Sequence, residues 1–272
     1  MLRVGIAFFS GTGNTWRVAN QYAEAFGWHD HRAELLPIED LVRVKNNAWF
    51  VNYDLIGLAY PVHAWNAPRL VLRFLDTLPY HLDKRVFLAL TAGISVGGAL
   101  DYARRRLVRL GYQVVHAAHF YTGSYYLDQS FREQSEDELL RRTQWIDGEA
   151  WEAVAEILDR RARDYWASDW ARVAQSGIVW RLYLAASRQA WRWLYATPAC
   201  DQCGLCVLHC PTDNITIRPP AGVTFGAACT LCLRCVGICP QAAVQLTVQT
   251  ERFGRYLAPG FRGYLRARTR PQ

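Results

Sequence analysis

The chain has 272 residues, of which 51% are hydrophobic and 20% charged, a balance that excludes disordered, collagen-like and membrane-embedded classes. No run of eighteen apolar residues occurs, so no spanning helix is expected. The net charge of +7 is unevenly placed: residues 1–169 carry 19 basic and 21 acidic side chains, residues 170–272 carry 12 and 3, and Lys45 and Lys84 are the only lysines. Such a basic half suits an acidic protein, nucleic acid or anionic lipid.

Met1–Ile6 runs directly into a strand-like segment without the charged start, apolar stretch and cleavage site of a signal peptide, so a cytoplasmic location is expected. Leu2–Phe9 reads as a buried strand and residues 15–26 as a helix, with Val18, Tyr22, Ala25 and Phe26 on one face. Asp54–Ala59, Val86–Leu90 and Gln113–His119 read as further buried strands, and Leu70–Leu78 and Leu100–Leu110 as helices between them. Short apolar strands separated by helices imply a parallel sheet covered on both faces.

Between the first strand and its helix stands Ser10-Gly11-Thr12-Gly13-Asn14-Thr15. Glycines allow a sharp turn there, hydroxyls crowd it, and a following helix N-terminus favours an anion, so the segment reads as a phosphate cradle. It lacks the Gly-Lys-Ser/Thr of a Walker loop, and a dinucleotide fingerprint from Gly11 would need glycine where Trp16 stands. Two more loops leave strand carboxyl ends, where open α/β sheets place ligands. They are Tyr60-Pro61-Val62-His63-Ala64-Trp65-Asn66-Ala67-Pro68 and Thr91-Ala92-Gly93-Ile94-Ser95-Val96-Gly97-Gly98. Asn66 is placed to cap the helix after Pro68. Residues 135–169 read as a long final helix of this domain. Residues 170–196 read as a basic, aromatic-rich helix that packs between domains or, alternatively, lies on a membrane surface.

All eight cysteines fall between 200 and 239, after 199 cysteine-free residues, which favours metal ligation over a disulfide framework. They form Cys200-x2-Cys203-x2-Cys206-x3-Cys210-Pro211 and Cys229-x2-Cys232-x2-Cys235-x3-Cys239-Pro240. This is the bacterial ferredoxin run, twice, in which three cysteines grip one cubane cluster and the fourth ligates the other. Cys200, Cys203, Cys206 and Cys239 are therefore expected at one 4Fe-4S cluster, and Cys229, Cys232, Cys235 and Cys210 at the second. Zinc sites pair two Cys-x2-Cys knuckles or add histidines and do not use this pattern. Ile215, Ile217, Val244 and Leu246, with Val207, Leu208, Val236 and Ile238, are expected to exclude water from the clusters. The tail after Thr250 adds six more arginines.

Phe9–Thr15 resembles the phosphate-binding loop of flavodoxins. The whole order resembles the family of flavodoxin–ferredoxin fusion proteins, over residues 1–165 and 197–250. The resemblance implies an α/β flavodoxin-like doubly wound parallel sheet over 1–165, a connector at 166–196, a small α+β bacterial ferredoxin-like domain over 197–250, and a basic tail at 251–272. It implies FMN with its phosphate on Ser10, Gly11, Thr12, Gly13, Asn14 and Thr15. The ring would lie between Tyr60–Asn66 and the loop carrying Thr91, Ala92, Gly93 and Gly97. Trp65, then Tyr60, would stack on the ring or simply pack. His63 is open to bonding a flavin edge or to plain exposure. The third loop lacks the acidic residue and aromatic often found there in simple flavodoxins.

The expected function is electron transfer between FMN, two 4Fe-4S clusters and partner redox proteins with acidic faces. No catalytic residue constellation is visible. A flavin-dependent reductase of a small molecule or quinone and a redox sensor are the alternatives. Nucleic acid is not an expected partner, because no nucleic-acid module is recognisable. A second copy of the chain, and the inner membrane face against 170–196, are the remaining partner expectations.

Overall fold

Four apolar runs and one polar one form a single five-stranded sheet in the computed structural model of this chain. The structure describes residues 1–44, 48–81, 83–93, 95–122, 136–161, 178–218, 222–247, 250–251 and 255–268. The chain divides into two units, one holding Met1–Ser10 and Asn14–Trp180, the other Gly11–Gly13 and Arg181–Arg270.

In the first unit the strands are β1 (Arg3–Phe8), β2 (Arg32–Pro37), β3 (Leu55–Pro61), β4 (Arg85–Ala92) and β5 (Gln113–Tyr121). All pair in parallel in the order β2-β1-β3-β4-β5, which is the flavodoxin-like doubly wound order. The central strands are buried along almost their whole length, which explains their unbroken apolar sequences. β2 is the exception. Arg32-Ala-Glu-Leu-Leu-Pro has no apolar run, yet it pairs residue for residue with β1 at the sheet edge.

The helices are α1 (Asn14–Trp28), α2 (Ile38–Val44), α3 (Arg69–Thr77), α4 (Ala99–Arg109) and α5 (Glu136–Leu158). On one sheet face Tyr22 of α1 stacks on Phe87 of β4 at 5.2 Å, with Phe26 and Phe120 beside them. Burying each such ring contributes about 1.5–3 kcal/mol. α5 locks onto α1 through the Arg17–Asp147 ion pair and through the Trp151 indole N–H, which donates to the Gln21 amide oxygen at 2.8 Å. On the other face Ile56 and Val86 meet Trp49, Phe74 of α3 and Leu107 of α4 around a small apolar recess. α5 ends at Leu158, where Arg160 turns left-handed (φ 57°) and the Arg161 N–H caps the Glu156 carbonyl. The part of the expected 135–169 helix from 162 on lies outside the described residues.

The expected helix over 170–196 is shorter in the structure. Helix α6 spans Ile178–Ser187, a 3-10 turn covers Ala190–Trp193, and Tyr195–Ala196 is strand β6. Residues 170–177 lie outside the described residues. Strand pairing takes the end of the segment: Tyr195 and Ala196 pair with Gln245 and Val244 of β9 (Val244–Gln245), and Leu194 is buried in the second core.

The second unit is built twice, at a spacing of 29 residues, the separation of Cys200 from Cys229. The first half holds β6, helix α7 (Leu205–Leu208) and β7 (Ile215–Arg218). The second holds β8 (Gly222–Phe225), α8 (Arg234–Ile238) and β9, and the tail adds α9 (Phe261–Ala267). Pairing crosses between the halves: β6 runs antiparallel to β9, and β7 antiparallel to β8. Left-handed residues recur at matching positions, Gln202 with Leu231, Gly204 with Leu233, and Asp213 with Ala242. Five of these six are not glycine, and each costs of order 1 kcal/mol that the surrounding structure must offset.

Gly57 of β3 has no room for a side chain, because a Cβ there would sit 2.3 Å from the Phe87 ring. Gly57→Ala is expected to lower stability by about 1–3 kcal/mol through overpacking, read from urea unfolding. Phe87→Leu in the same chain should return part of that loss. An unchanged midpoint for Gly57→Ala would show that the ring moves freely.

Candidate functional site

The eight cysteines are free thiols that fall into two groups. One recess of about 370 Å³, counting space open to solvent, is lined by Cys210, Cys229, Cys232 and Cys235. Leu194, Ile215, Phe225 and Leu233 supply its apolar walls. Cys210 belongs to the first run and its three companions to the second. Crossed strand pairing brings them together, since Ile215 of β7 lies opposite Phe225 of β8.

The thiols feel one another mainly within Cys210, Cys229, Cys232 and Cys235 and within Cys200, Cys203, Cys206 and Cys239, while Cys206 also reaches Cys235. Burial pushes Cys232 up to about 12; the Arg234 guanidinium pulls the other way, while Cys210 and Cys229 push further up. Burial, then Cys232, Cys229 and Cys210, raises Cys235 well above the ordinary thiol range. Burial lifts Cys206 to about 11, with Cys239, Cys200 and Cys203 adding to it and the Val207 N–H opposing. Cys203 is exposed, and the N–H of Cys203 together with the Gln241 side chain holds the neighbouring Asp201 carboxyl below its ordinary range.

Backbone N–H groups aim at the sulfurs. Asn214 donates to Cys210 Sγ at 3.3 Å and Ala243 to Cys239 Sγ at 3.2 Å, the same bond in each half. Leu231 donates to Cys229 Sγ at 3.4 Å. Crowded soft donors ringed by N–H groups fit a thiolate-ligated cluster, whose sulfurs accept such bonds. Among the described residues no three His, Cys, Asp or Glu side chains form a set that could hold a single metal ion.

The shielding residues divide. Ile215, Val236 and Val244 are in the core beside the cysteines, Ile238 is buried, and Val207 and Leu246 pack against the core from its edge. Leu208 points outward and is 51% exposed. Leu194, Phe225 and Arg234 were not expected at the site. They precede or interrupt the cysteine motifs, and only crossed pairing reveals their place.

In the first unit the carboxyl ends of β1, β3 and β4 lie side by side, and from them leave Phe9–Ser10 and the segments 62–68 and 93–98. Gly13 takes φ 103°, a conformation open to glycine, immediately before α1. The first turn of this 15-residue helix carries no acidic residue, so its N-terminal N–H groups and dipole have no carboxylate of their own there. Ser10 and Thr15 are buried, while Thr12 and Asn14 are partly exposed. The Thr15 hydroxyl is 2.7 Å from that of Thr91, tying the first segment to the third. The Val62 N–H donates to the Thr91 carbonyl at 2.7 Å, tying the second to the third.

His63-Ala64-Trp65-Asn66 is a tight turn with φ 46° at Ala64 and 64° at Trp65, and His63 and Asn66 exchange backbone hydrogen bonds. Two adjacent left-handed residues, neither of them glycine, are strained, and such strain clusters at binding sites. The Trp65 side chain lies against Gly97, where any Cβ would meet it at 2.6 Å. Desolvation pulls the half-buried His63 down to about 4, so its ring is neutral at physiological pH. Pro61, Ala64 and Gly93 are partly exposed, and Ala92 is buried.

Tyr60 takes the packing alternative, and one expectation changes, at Asn66. Tyr60 is fully buried, with its hydroxyl 3.5 Å from the Ala99 carbonyl, and its ring belongs to the core beneath the loops. Asn66 does not cap α3, whose start at Pro68 has no side-chain cap. Its side chain accepts the Ala67 N–H at 2.7 Å instead, because the turn with His63 fixes its direction. Ile94 lies outside the described residues.

No protein-family model and no curated relative matches the chain. Among solved structures, it is similar to the two-electron reduced flavodoxin of Megasphaera elsdenii, over 55% of this chain and 99% of that one, at 24% identity and a TM-score of 0.39. It is similar to oxidised Flavodoxin 2 of Bacillus cereus over 57% and 98%, at 19% identity and a TM-score of 0.41. It is also similar to the NAD(P)H:quinone oxidoreductase of Methanothermobacter marburgensis, over 57% and 96%, at 12% identity and a TM-score of 0.39. The flavodoxin-like reading of the first unit rests on its strand order and not on these scores. Among the described residues no helix is long and apolar enough to cross a membrane.

The buried Thr15–Thr91 hydroxyl pair should behave as a unit. Thr15→Val alone strands the Thr91 hydroxyl and is expected to cost about 1–3 kcal/mol. Thr15→Val with Thr91→Val should cost less than the sum of the single changes. Additive losses in a double-mutant unfolding cycle would dissolve the pair.

Proposed function

We propose that the chain is an electron-transfer protein holding two 4Fe-4S clusters on its eight cysteines and FMN at the loop that opens α1. One observation carries the reading: four cysteines drawn from both runs line a single recess, in the combination that bacterial ferredoxin ligation requires. By the same repeat Cys200, Cys203, Cys206 and Cys239 serve the other cluster. The second unit is on this reading a bacterial ferredoxin-like domain, and the whole chain a flavodoxin–ferredoxin fusion. When bound, the flavin offers a two-electron centre and each cluster a one-electron centre.

The chain's own residues do the rest. Asn214, Ala243 and Leu231 donate N–H groups to sulfur, and Leu194, Ile215, Phe225 and Val244 keep water from it. Gly13, Thr12 and Asn14 at the start of α1 would hold the FMN phosphate, with Ser10 and Thr15 shaping the turn from below. Trp65, held against Gly97, and the neutral His63 would border the ring. Partners are redox proteins whose acidic faces match the basic second half. Joining both centres in one chain keeps them at high mutual concentration.

Anaerobic reconstitution should yield about eight iron and eight acid-labile sulfide per chain. Cys210→Ala should remove the cluster otherwise held by Cys229, Cys232 and Cys235 and leave the other intact. Stoichiometric zinc without sulfide would overturn the assignment.

The bound flavin released on denaturation should be FMN, one per chain, because the cradle suits a terminal phosphate and the sequence shows no second nucleotide-binding motif for an adenylate half. Thr12→Ala with Asn14→Ala should weaken FMN at least tenfold without loss of iron. Release of FAD, or equal loss of both cofactors, counts against the site.

A further inference from the structure

The repeat makes each half of the second unit a control for the other. Ligand spacing, left-handed turns and the N–H bonds to Cys210 and Cys239 all match. The N–H of residue 205 donates to Cys203 and that of residue 234 to Cys232, which also match. The side chains at those two positions do not. Position 205 is leucine, and position 234 is an arginine only 2% exposed. Its guanidinium donates to the His209 carbonyl at 3.2 Å and sits 5.9 Å from the Phe261 ring centre. It stands two residues after Cys232 and directly before Cys235, and the carbonyl it bonds belongs to the residue just before Cys210.

We propose that Arg234 makes the two cysteine sets electrostatically unequal, holding the Cys210, Cys229, Cys232 and Cys235 set at the higher reduction potential. The proposal rests on the iron–sulfur reading above. Accepting one electron from an external donor adds one negative charge to a set, and a buried cation beside a ligand stabilises that charge. Other charges lie nearby. Asp201 and Asp213 are on the surface, where water screens them. Arg255 and Arg262 are partly exposed and donate to the carbonyls of Ala242, Ile238 and Gly237 near Cys239. These two, and the exposure of Cys203, favour reduction at the first set and so oppose the effect. Arg234 outweighs them because its charge acts through low-dielectric protein rather than water.

The test is a redox titration of the whole reconstituted chain, followed by electron paramagnetic resonance. The native chain should show two resolved one-electron waves. Arg234→Leu, which copies position 205, should lower only the upper wave, by at least tenfold in the reduction equilibrium, or about 59 mV. Arg234→Lys should leave it near its native value. Arg234→Gln can keep the bond to His209 without the charge, and should act like Arg234→Leu if that variant folds poorly. A single native wave, a shift of the lower wave, or no shift overturns the proposal. Loss of the cluster in both neutral variants makes Arg234 a structural residue and also overturns it. A native chain that binds neither iron nor sulfide refutes the iron–sulfur reading itself, which the metal assay shows before any titration.

Discussion

Two short antiparallel pairings, β6 with β9 and β7 with β8, decide where the cysteines go. Each run could place its own first three cysteines by local turns alone. The fourth, ahead of its proline, must cross to the other half, and strand pairing is what carries it there. Residues 215 and 225 face each other in this ladder, so Cys210 reaches the recess whose other thiols are Cys229, Cys232 and Cys235. The ladders are only two and four residues long, too little to be stable alone. They depend on the apolar core of Leu194, Ile215, Phe225, Val236 and Val244, and on whatever ties the cysteines together. Binding energy at such a centre is folding energy.

The same logic of strained turns held by a rigid frame appears in the first unit. The parallel sheet places three strand ends in a row, and the turn at Ala64–Trp65 is forced into left-handed backbone by the pairing of His63 with Asn66. Hydrogen bonds at Thr91 then fasten the neighbouring segments to one another, its carbonyl accepting from the Val62 N–H and its hydroxyl pairing with that of Thr15. A loop cluster that is pinned in this way loses little entropy on accepting a ligand, which is the advantage of preorganisation.

Charge is distributed with a similar asymmetry. On the iron–sulfur reading, the arginine-rich second half would offset the anionic character of thiolate-ligated clusters, and among the described residues most of its guanidinium groups remain near water. Arg234 is different because the fold buries it, and burial turns a common side chain into a strong local field.

Much of this was legible in residue order alone. The cysteine spacing supports its proposed chemistry because ligand geometry is local, and the buried strands β1, β3, β4 and β5 announced themselves because both of their faces are apolar. β2 did not, since an edge strand needs only its partner's backbone and Arg32–Pro37 has no apolar pattern to betray it. The helix expected through 196 failed for a related reason: Tyr195–Ala196 becomes extended only because Val244–Gln245, far along the chain, is there to pair with it. In sequence Trp65 ranks ahead of Tyr60 as a stacking aromatic, and either could simply pack, five residues apart on one loop. Tertiary packing separated them, burying the first under α4 and laying the second on Gly97. Local turns and ligand spacing are written in neighbouring residues, whereas edge pairing, side-chain burial and the company of Arg234 depend on partners that only the folded chain brings near.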